Sequence, residues 1–178
     1  MTVSITWHGH ATLSLNINGQ KVVVDPFTGA KVALLPALVL DVALIHVHRA
    51  DKYGNCQIEG ISGFAAEMAR ACKRLIISAE EIVPTDEIRK YPDRTIIPYF
   101  LVDAVVHAPY GSYPGEMAYM YGRDEPAIKE WVDMSKTAEG SKAYLDKFIY
   151  DVKDHGEYLK RIGDERLKRC VELREKRE

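Results

Sequence analysis

The alternation of apolar and polar positions divides the chain into three stretches. The first opens with two alternating runs, Val3 to Trp7 and Ala11 to Ile17, and a short apolar run from Lys21 to Val24. Asn18-Gly19 between the second and third supplies the positive φ angles of a tight hairpin, so residues 1–28 are predicted to form an antiparallel β-meander. The middle stretch alternates strand-like and helix-like patterns. Gly29 to Leu40 and Asp41 to His48 read as apolar strand segments, followed by a polar turn over Arg49 to Asn55 and a short strand at Gln57 to Glu59. Ser62 is placed to cap a helix with Ala65, Met68, Ala69 and Cys72 on one face, and Thr85 to cap a helix over Asp86 to Tyr91 that Pro92 ends. Leu75 to Ser78 is a strand running into Glu80 and Glu81.

Val102, Ala104, Val105, Val106 and Ala108 form a nearly continuous β-branched run, expected to be a strand buried on both faces and stopped by Pro109. The loop after it, Tyr110 to Gly115, is the expected binding segment, since open α/β sheets bind ligands beyond the carboxyl ends of their strands. Glu116 to Arg123 reads as aromatic and mobile. From Asp124 onward the spacing becomes helical: Ile128, Trp131, Val132 and Ser135 form one face, and Tyr144, Leu145, Phe148, Ile149 and Val152 another. Gly140 and Gly163 mark breaks, and the tail from Asp164 reads as a solvated helix. The predicted fold is therefore α/β: an open, mostly parallel sheet with flanking helices, preceded by an antiparallel meander and ending in a helical C-terminal region.

Composition narrows the function. The 178 residues carry a net charge of −2, with no basic field for nucleic acid and no polybasic patch or apolar run long enough for a membrane. No signal-peptide pattern opens the chain, and three scattered cysteines without metal spacing fit a reducing, cytoplasmic setting.

Two family resemblances sharpen the candidates. I-T-W-H-G-H-A-T-L, the Asn18-Gly19 hairpin and V-V-V-D-P-F-T-G resemble the opening of metallo-β-lactamase-fold hydrolases, over about the first 29 residues. That family builds its metal site around H-x-H-x-D-H. Here His46 and His48 fit the first two positions, but Ala50 and Asp51 occupy the next two. A metal-dependent hydrolase using His8, His10, Asp25, His46 and His48 is kept as an alternative, and the preferred expectation is no metal and no permanently bound cofactor.

The larger resemblance runs from Asp25 to about Leu167. P-F-T-G-A-K-V-A-L-L-P-A-L, D-V-A-L-I-H-V-H-R-A-D-K-Y-G-N, S-A-E-E-I, V-D-A-V-V-H-A-P-Y-G-S-Y-P-G-E and D-V-K-D-H-G-E-Y-L-K-R-I-G look like the C-terminal half of the A subunit of class I CoA-transferases, of the glutaconate type. The seam between the two resemblances falls at Asp25 to Gly29, giving a meander over 1–28 and a transferase-like region over 29–178. The second resemblance implies a heteromeric A plus B enzyme that moves coenzyme A between an acyl-CoA thioester and a carboxylic acid, with the nucleophilic glutamate in the B subunit. It places Tyr110, Gly111, Ser112 and Tyr113 on the wall of the substrate pocket, with Glu80 and Glu81 as secondary catalytic candidates. With the glycine-rich N-terminal half of the A subunit missing, the chain alone is expected to be inactive. A non-catalytic assembly module, in which association covers the sheet surface left bare, is the other alternative.

Overall fold

The structure, a computed structural model, describes residues 3–7, 13–17, 20–24 and 39–175. The chain forms two compact units, Met1–Val39 and Leu40–Glu178. In the first, β1 (Val3–Trp7), β2 (Leu13–Ile17) and β3 (Gln20–Val24) make the predicted antiparallel meander. Ile17 pairs with Gln20, leaving only Asn18-Gly19 between them, the two-residue spacing of a hairpin. The expected seam at Asp25 to Gly29 lies outside the described residues.

The second unit is built on a five-stranded sheet of β4 (Leu40–Ala50), β5 (Cys56–Gln57), β6 (Cys72–Ile82), β7 (Thr95–Ile97) and β8 (Ala104–His107), in the order β7-β5-β4-β6-β8. β4, β6 and β8 run parallel and carry most of the sheet; β5 and β7 pair antiparallel at one edge. One face is the core. Ala43, Ile45 and Val47 of β4 and Leu75, Ile77 and Ala79 of β6 point into it, and α1 (Ala65–Ala71) covers it through Ala69. Strand periodicity sends the intervening residues to the other face, which changes character along its length. Val42, Leu44 and Val106 are at least half exposed there, while His46, His48, Ser78 and Glu80 occupy the carboxyl end.

Several expectations are corrected. β8 is not buried on both faces: it is the last strand in the order, so only Val105 packs against the core. Neither Ser62 nor Thr85 caps a helix with its side chain. Ser62 contributes a carbonyl to the Ala65 N–H, and Thr85 is the first residue of α2 (Thr85–Arg89). The first helix also stops at Ala71, because Cys72 already belongs to β6.

The helical region begins as predicted. α3 (Glu125–Met134) is capped by Asp124, followed by α4 (Ala138–Leu145), a wide π turn at Asp146–Tyr150, α5 (His155–Ile162) and α6 (Asp164–Glu175). Gly163, at φ 91°, separates the last two. Gly140 instead lies inside α4, where the side chain of Thr137 accepts its N–H. The tail is packed, not merely solvated: Leu167 and Cys170 join a second core with Tyr113, Met117, Tyr121, Ala127 and Ile162. Glu116 to Arg123 is correspondingly anchored, with Tyr121 buried and its backbone bridged to Met117.

Asp124 ties this second core together. Its fully buried carboxylate accepts from the Ala127 N–H (3.2 Å), the Tyr113 hydroxyl (2.9 Å) and Arg169 (2.8 Å). Asp124→Asn keeps an oxygen for the cap but loses the charge facing Arg169, which is itself 45 % exposed and half solvated. The expected loss is about 1 kcal/mol, read from the urea midpoint at unchanged slope.

Candidate active site

Glu80 organises the carboxyl end of the sheet. The parallel register sets His46 of β4 opposite Ser78 of β6, and strand alternation puts Glu80 on the same face two residues on. The His46 ring spans both: Nδ1 lies 2.9 Å from Ser78 Oγ and Nε2 lies 2.7 Å from Glu80 Oε1. In the neutral ring this fixes the roles, with Ser78 donating to Nδ1 and Nε2–H donating to the carboxylate. Glu80 is 4 % exposed. It also accepts the Tyr121 hydroxyl on Oε1 and the Tyr110 N–H on Oε2, the latter at 2.5 Å. Three donors from three segments therefore converge on one carboxylate.

Burial pushes the Glu80 carboxyl up, but the hydrogen bonds from His46, Tyr121 and the Tyr110 N–H, with the charge of His46, outweigh it and hold it below its ordinary 4.5. The same contact, after burial, drives the Tyr121 hydroxyl far above the usual phenol range. Because folding lowers the Glu80 value, its contribution to stability is complete above the unfolded value of 4.5 and is lost as pH falls through the folded one. Acidification from about pH 5 to about pH 3 should lower the urea midpoint of the wild type. Glu80→Gln, which cannot titrate, should lose less over the same interval.

The loop after β8 fits closely over this network. A Cβ on Gly111 would lie 2.4 Å from His46 Cε1, 2.8 Å from Nδ1 and 2.9 Å from the Ala108 carbonyl, so glycine is required for the close approach. Tyr110 stacks on Tyr121 with centroids 5.0 Å apart. From the helical region, His155 reaches back to the Pro109 carbonyl (2.8 Å).

A cavity of about 440 Å³ opens beside the network, lined by Arg49, Glu80, Glu81, Tyr110, Tyr119 and Tyr121 among others. Of the expected binding residues, Tyr110 lines it. Gly111 packs on His46, Ser112 donates its N–H to the Tyr121 hydroxyl and its own hydroxyl to the Met117 sulfur, and Tyr113 is buried against Asp124. Glu81 also lines the cavity but is paired with Arg49 (3.1 Å), which reaches Glu59 as well (3.2 Å). Another cavity, about 470 Å³, lies by Tyr53, Thr85, Ile88, Arg89 and Tyr99, and no buried ionised group lines it.

Of the metal alternative, only His46 and His48 fall among the described residues. His8, His10 and Asp25 lie outside the described residues. His48 donates from Nε2 to the Ala118 carbonyl (2.8 Å) and accepts the Glu59 N–H on Nδ1 (3.1 Å), so both of its nitrogens are engaged, as are those of His46.

Comparison with known proteins shows the family. The family described as Coenzyme A transferase matches residues 10–108, across the Asp25–Gly29 stretch and most of the sheet. This chain belongs to the coenzyme A transferase family. Among its relatives, the glutaconate CoA-transferase A subunit of Acidaminococcus fermentans is 39 % identical over 148 residues, 83 % of this chain and 46 % of that protein. An uncharacterized protein of Archaeoglobus fulgidus is 52 % identical over 163 residues, 89 % of this chain and 36 % of the relative. The crystal structure of the A. fermentans glutaconate coenzyme A-transferase superposes with a TM-score of 0.75 at 34 % identity, covering 90 % of this chain and 49 % of its own. This CoA-transferase-family chain thus spans less than half the length of these relatives. Among its described residues no helix is long and apolar enough to cross a membrane.

The His46–Ser78–Tyr121 part of the network does not stand out in the sequence. The available signal is a set of polar residues at alternate positions, His46 and His48, Ser78 and Glu80, closing two otherwise apolar strands.

Proposed function

We propose that this chain supplies one wall of a CoA-transferase active site and works with a B subunit that carries the nucleophilic glutamate. The reaction is transfer of coenzyme A from an acyl-CoA thioester to a carboxylic acid. The observation that carries the reading is the match to the glutaconate CoA-transferase A subunit along 83 % of the chain. The state of Glu80 supports it. A carboxylate that accepts three hydrogen bonds and is held below its ordinary pKa has most of its lone pairs occupied, and is a weakened nucleophile toward a thioester carbonyl. Glu80 is better suited to orient His46 and the Tyr110 turn than to attack. The acyl-enzyme chemistry then falls to the glutamate of the B subunit, while Tyr110, Tyr121 and Arg49 shape the crevice in which the thioester lies.

The bare strip of Val42, Leu44 and Val106 supports association with further protein, and association alone would satisfy it in a non-catalytic module. A CoA-exchange assay separates the readings. The isolated chain should show no CoA exchange between an acyl-CoA and a free acid, and adding a B subunit with its glutamate should restore it. Exchange at enzyme-like rates by the chain alone would overturn the two-subunit reading. Absence of exchange in a stable complex of the two subunits would leave the assembly module.

A further inference from the structure

Among the described residues, two that are not glycine take left-handed backbone, Tyr110 at φ 58° and Tyr119 at φ 64°. Both are tyrosines, and both border the cavity beside Glu80. A bulky side chain is rare in that region and costs free energy there, so each needs a reason. Tyr110 has one within the protein. Its turn delivers its N–H to Glu80 Oε2 and its ring onto Tyr121, and its carbonyl accepts the Tyr113 N–H (3.0 Å).

Tyr119 has no such reason. It is the third residue of a turn that the Met120 N–H closes on the Met117 carbonyl (3.0 Å), inside the Met117–Tyr121 bridge. Glycine or asparagine fills that position with less strain. Neighbours, not the tyrosine side chain, hold the backbone: His48 donates to the Ala118 carbonyl, and Met117 and Tyr121 exchange both of their backbone hydrogen bonds. The side chain contributes little to the fold in return. It is 58 % exposed, one ring edge passes Gly60, and its hydroxyl has no hydrogen-bond partner among the described residues. A strained position thus carries a large aromatic that the fold itself hardly uses, at the edge of the candidate site.

We propose that Tyr119 is a ligand-binding residue: its left-handed turn presents the exposed ring at the cavity beside Glu80, where the ring packs against the acyl-CoA thioester. This rests on the CoA-thioester reading of that cavity. A thioester is flat and its sulfur is polarisable, and both properties suit an aromatic face. The strain at Tyr119 is then retained because it aims the ring, and stability and binding should part company when it is relieved.

The test pairs affinity with stability in the full 178-residue chain, by calorimetric binding of butanoyl-CoA and by urea unfolding. Tyr119→Asn and Tyr119→Gly relieve the turn and should hold or raise the urea midpoint. Both should weaken butanoyl-CoA by about tenfold, which is what covering the exposed half of an aromatic ring is worth. Tyr119→Phe keeps the ring and should keep the wild-type affinity and midpoint. Unchanged affinity in the folded asparagine and glycine variants overturns the proposal and leaves the CoA-thioester reading standing. A midpoint that falls along with the affinity overturns it too, because the ring would then be a structural part. Failure of butanoyl-CoA to bind the folded wild type removes the CoA-thioester reading, and the role of Tyr119 with it.

Discussion

Glu80→Ala is expected to destabilise the protein by about 3 to 5 kcal/mol, the range for breaking a buried charged pair by removing one partner. The size follows from what is left behind. Tyr121 is 3 % exposed, and its hydroxyl loses the carboxylate that accepts it; the Tyr110 N–H and His46 Nε2–H lose theirs. Each stranded donor costs about 1 to 3 kcal/mol unless water reaches it, and His46, whose side chain is 17 % exposed, is the one best placed to recover a partner. Glu80→Gln leaves one oxygen to accept but turns an amide NH₂ toward groups that donate, so its cost should be smaller, about 1 to 2 kcal/mol. Urea unfolding at neutral pH checks both. Equal losses for alanine and glutamine would mean that the carboxylate's charge, and not the space it fills, sets the energy.

Gly111→Ala should cost about 2 to 3 kcal/mol, at the upper end of what overpacking a close contact does. Flexible side chains usually make room for a new methyl. His46 cannot do so cheaply, because Ser78 and Glu80 hold its ring by both nitrogens, and the Ala108 carbonyl blocks the other direction at 2.9 Å. The contact predicts a coupling. In the His46→Ala background the ring is gone and only the carbonyl clash remains, so Gly111→Ala should cost less there by about 1 kcal/mol. A double-mutant cycle from four urea curves measures it, and strict additivity would show that the turn does not rest on the ring.

These two residues also show what could be read from sequence. The meander, the parallel α/β core and the helical C-terminal region followed from periodicity and turn chemistry, because period-2 and period-3.6 patterns report which side of an element meets the core. The position of β8 did not: its apolar run suits either a central strand or an edge strand, and only the strand order distinguishes them. Glu80 and Glu81 look alike as neighbouring acids at a strand end. Alternation separates them, turning Glu80 onto His46 beneath the loop and leaving Glu81 to Arg49 at the surface. Tyr110, expected on a substrate-pocket wall, borders the cavity beside Glu80. Ser112 and Tyr113, equally suggestive in a turn-rich string, are used to fasten the loop to Tyr121, Met117 and Asp124. Such roles depend on partners distant in sequence, which local pattern does not encode.

If a CoA thioester lies in the crevice beside Glu80, its arrival should be visible residue by residue. Amide chemical shifts of the isotopically labelled chain, followed while an acyl-CoA is added, report it. Shifts should concentrate at residues 46–49, 80–81 and 110–121, with the cavity by Tyr53, Thr85 and Tyr99 unaffected. Shifts confined to that other cavity, or none at saturating thioester, would contradict a thioester site beside Glu80.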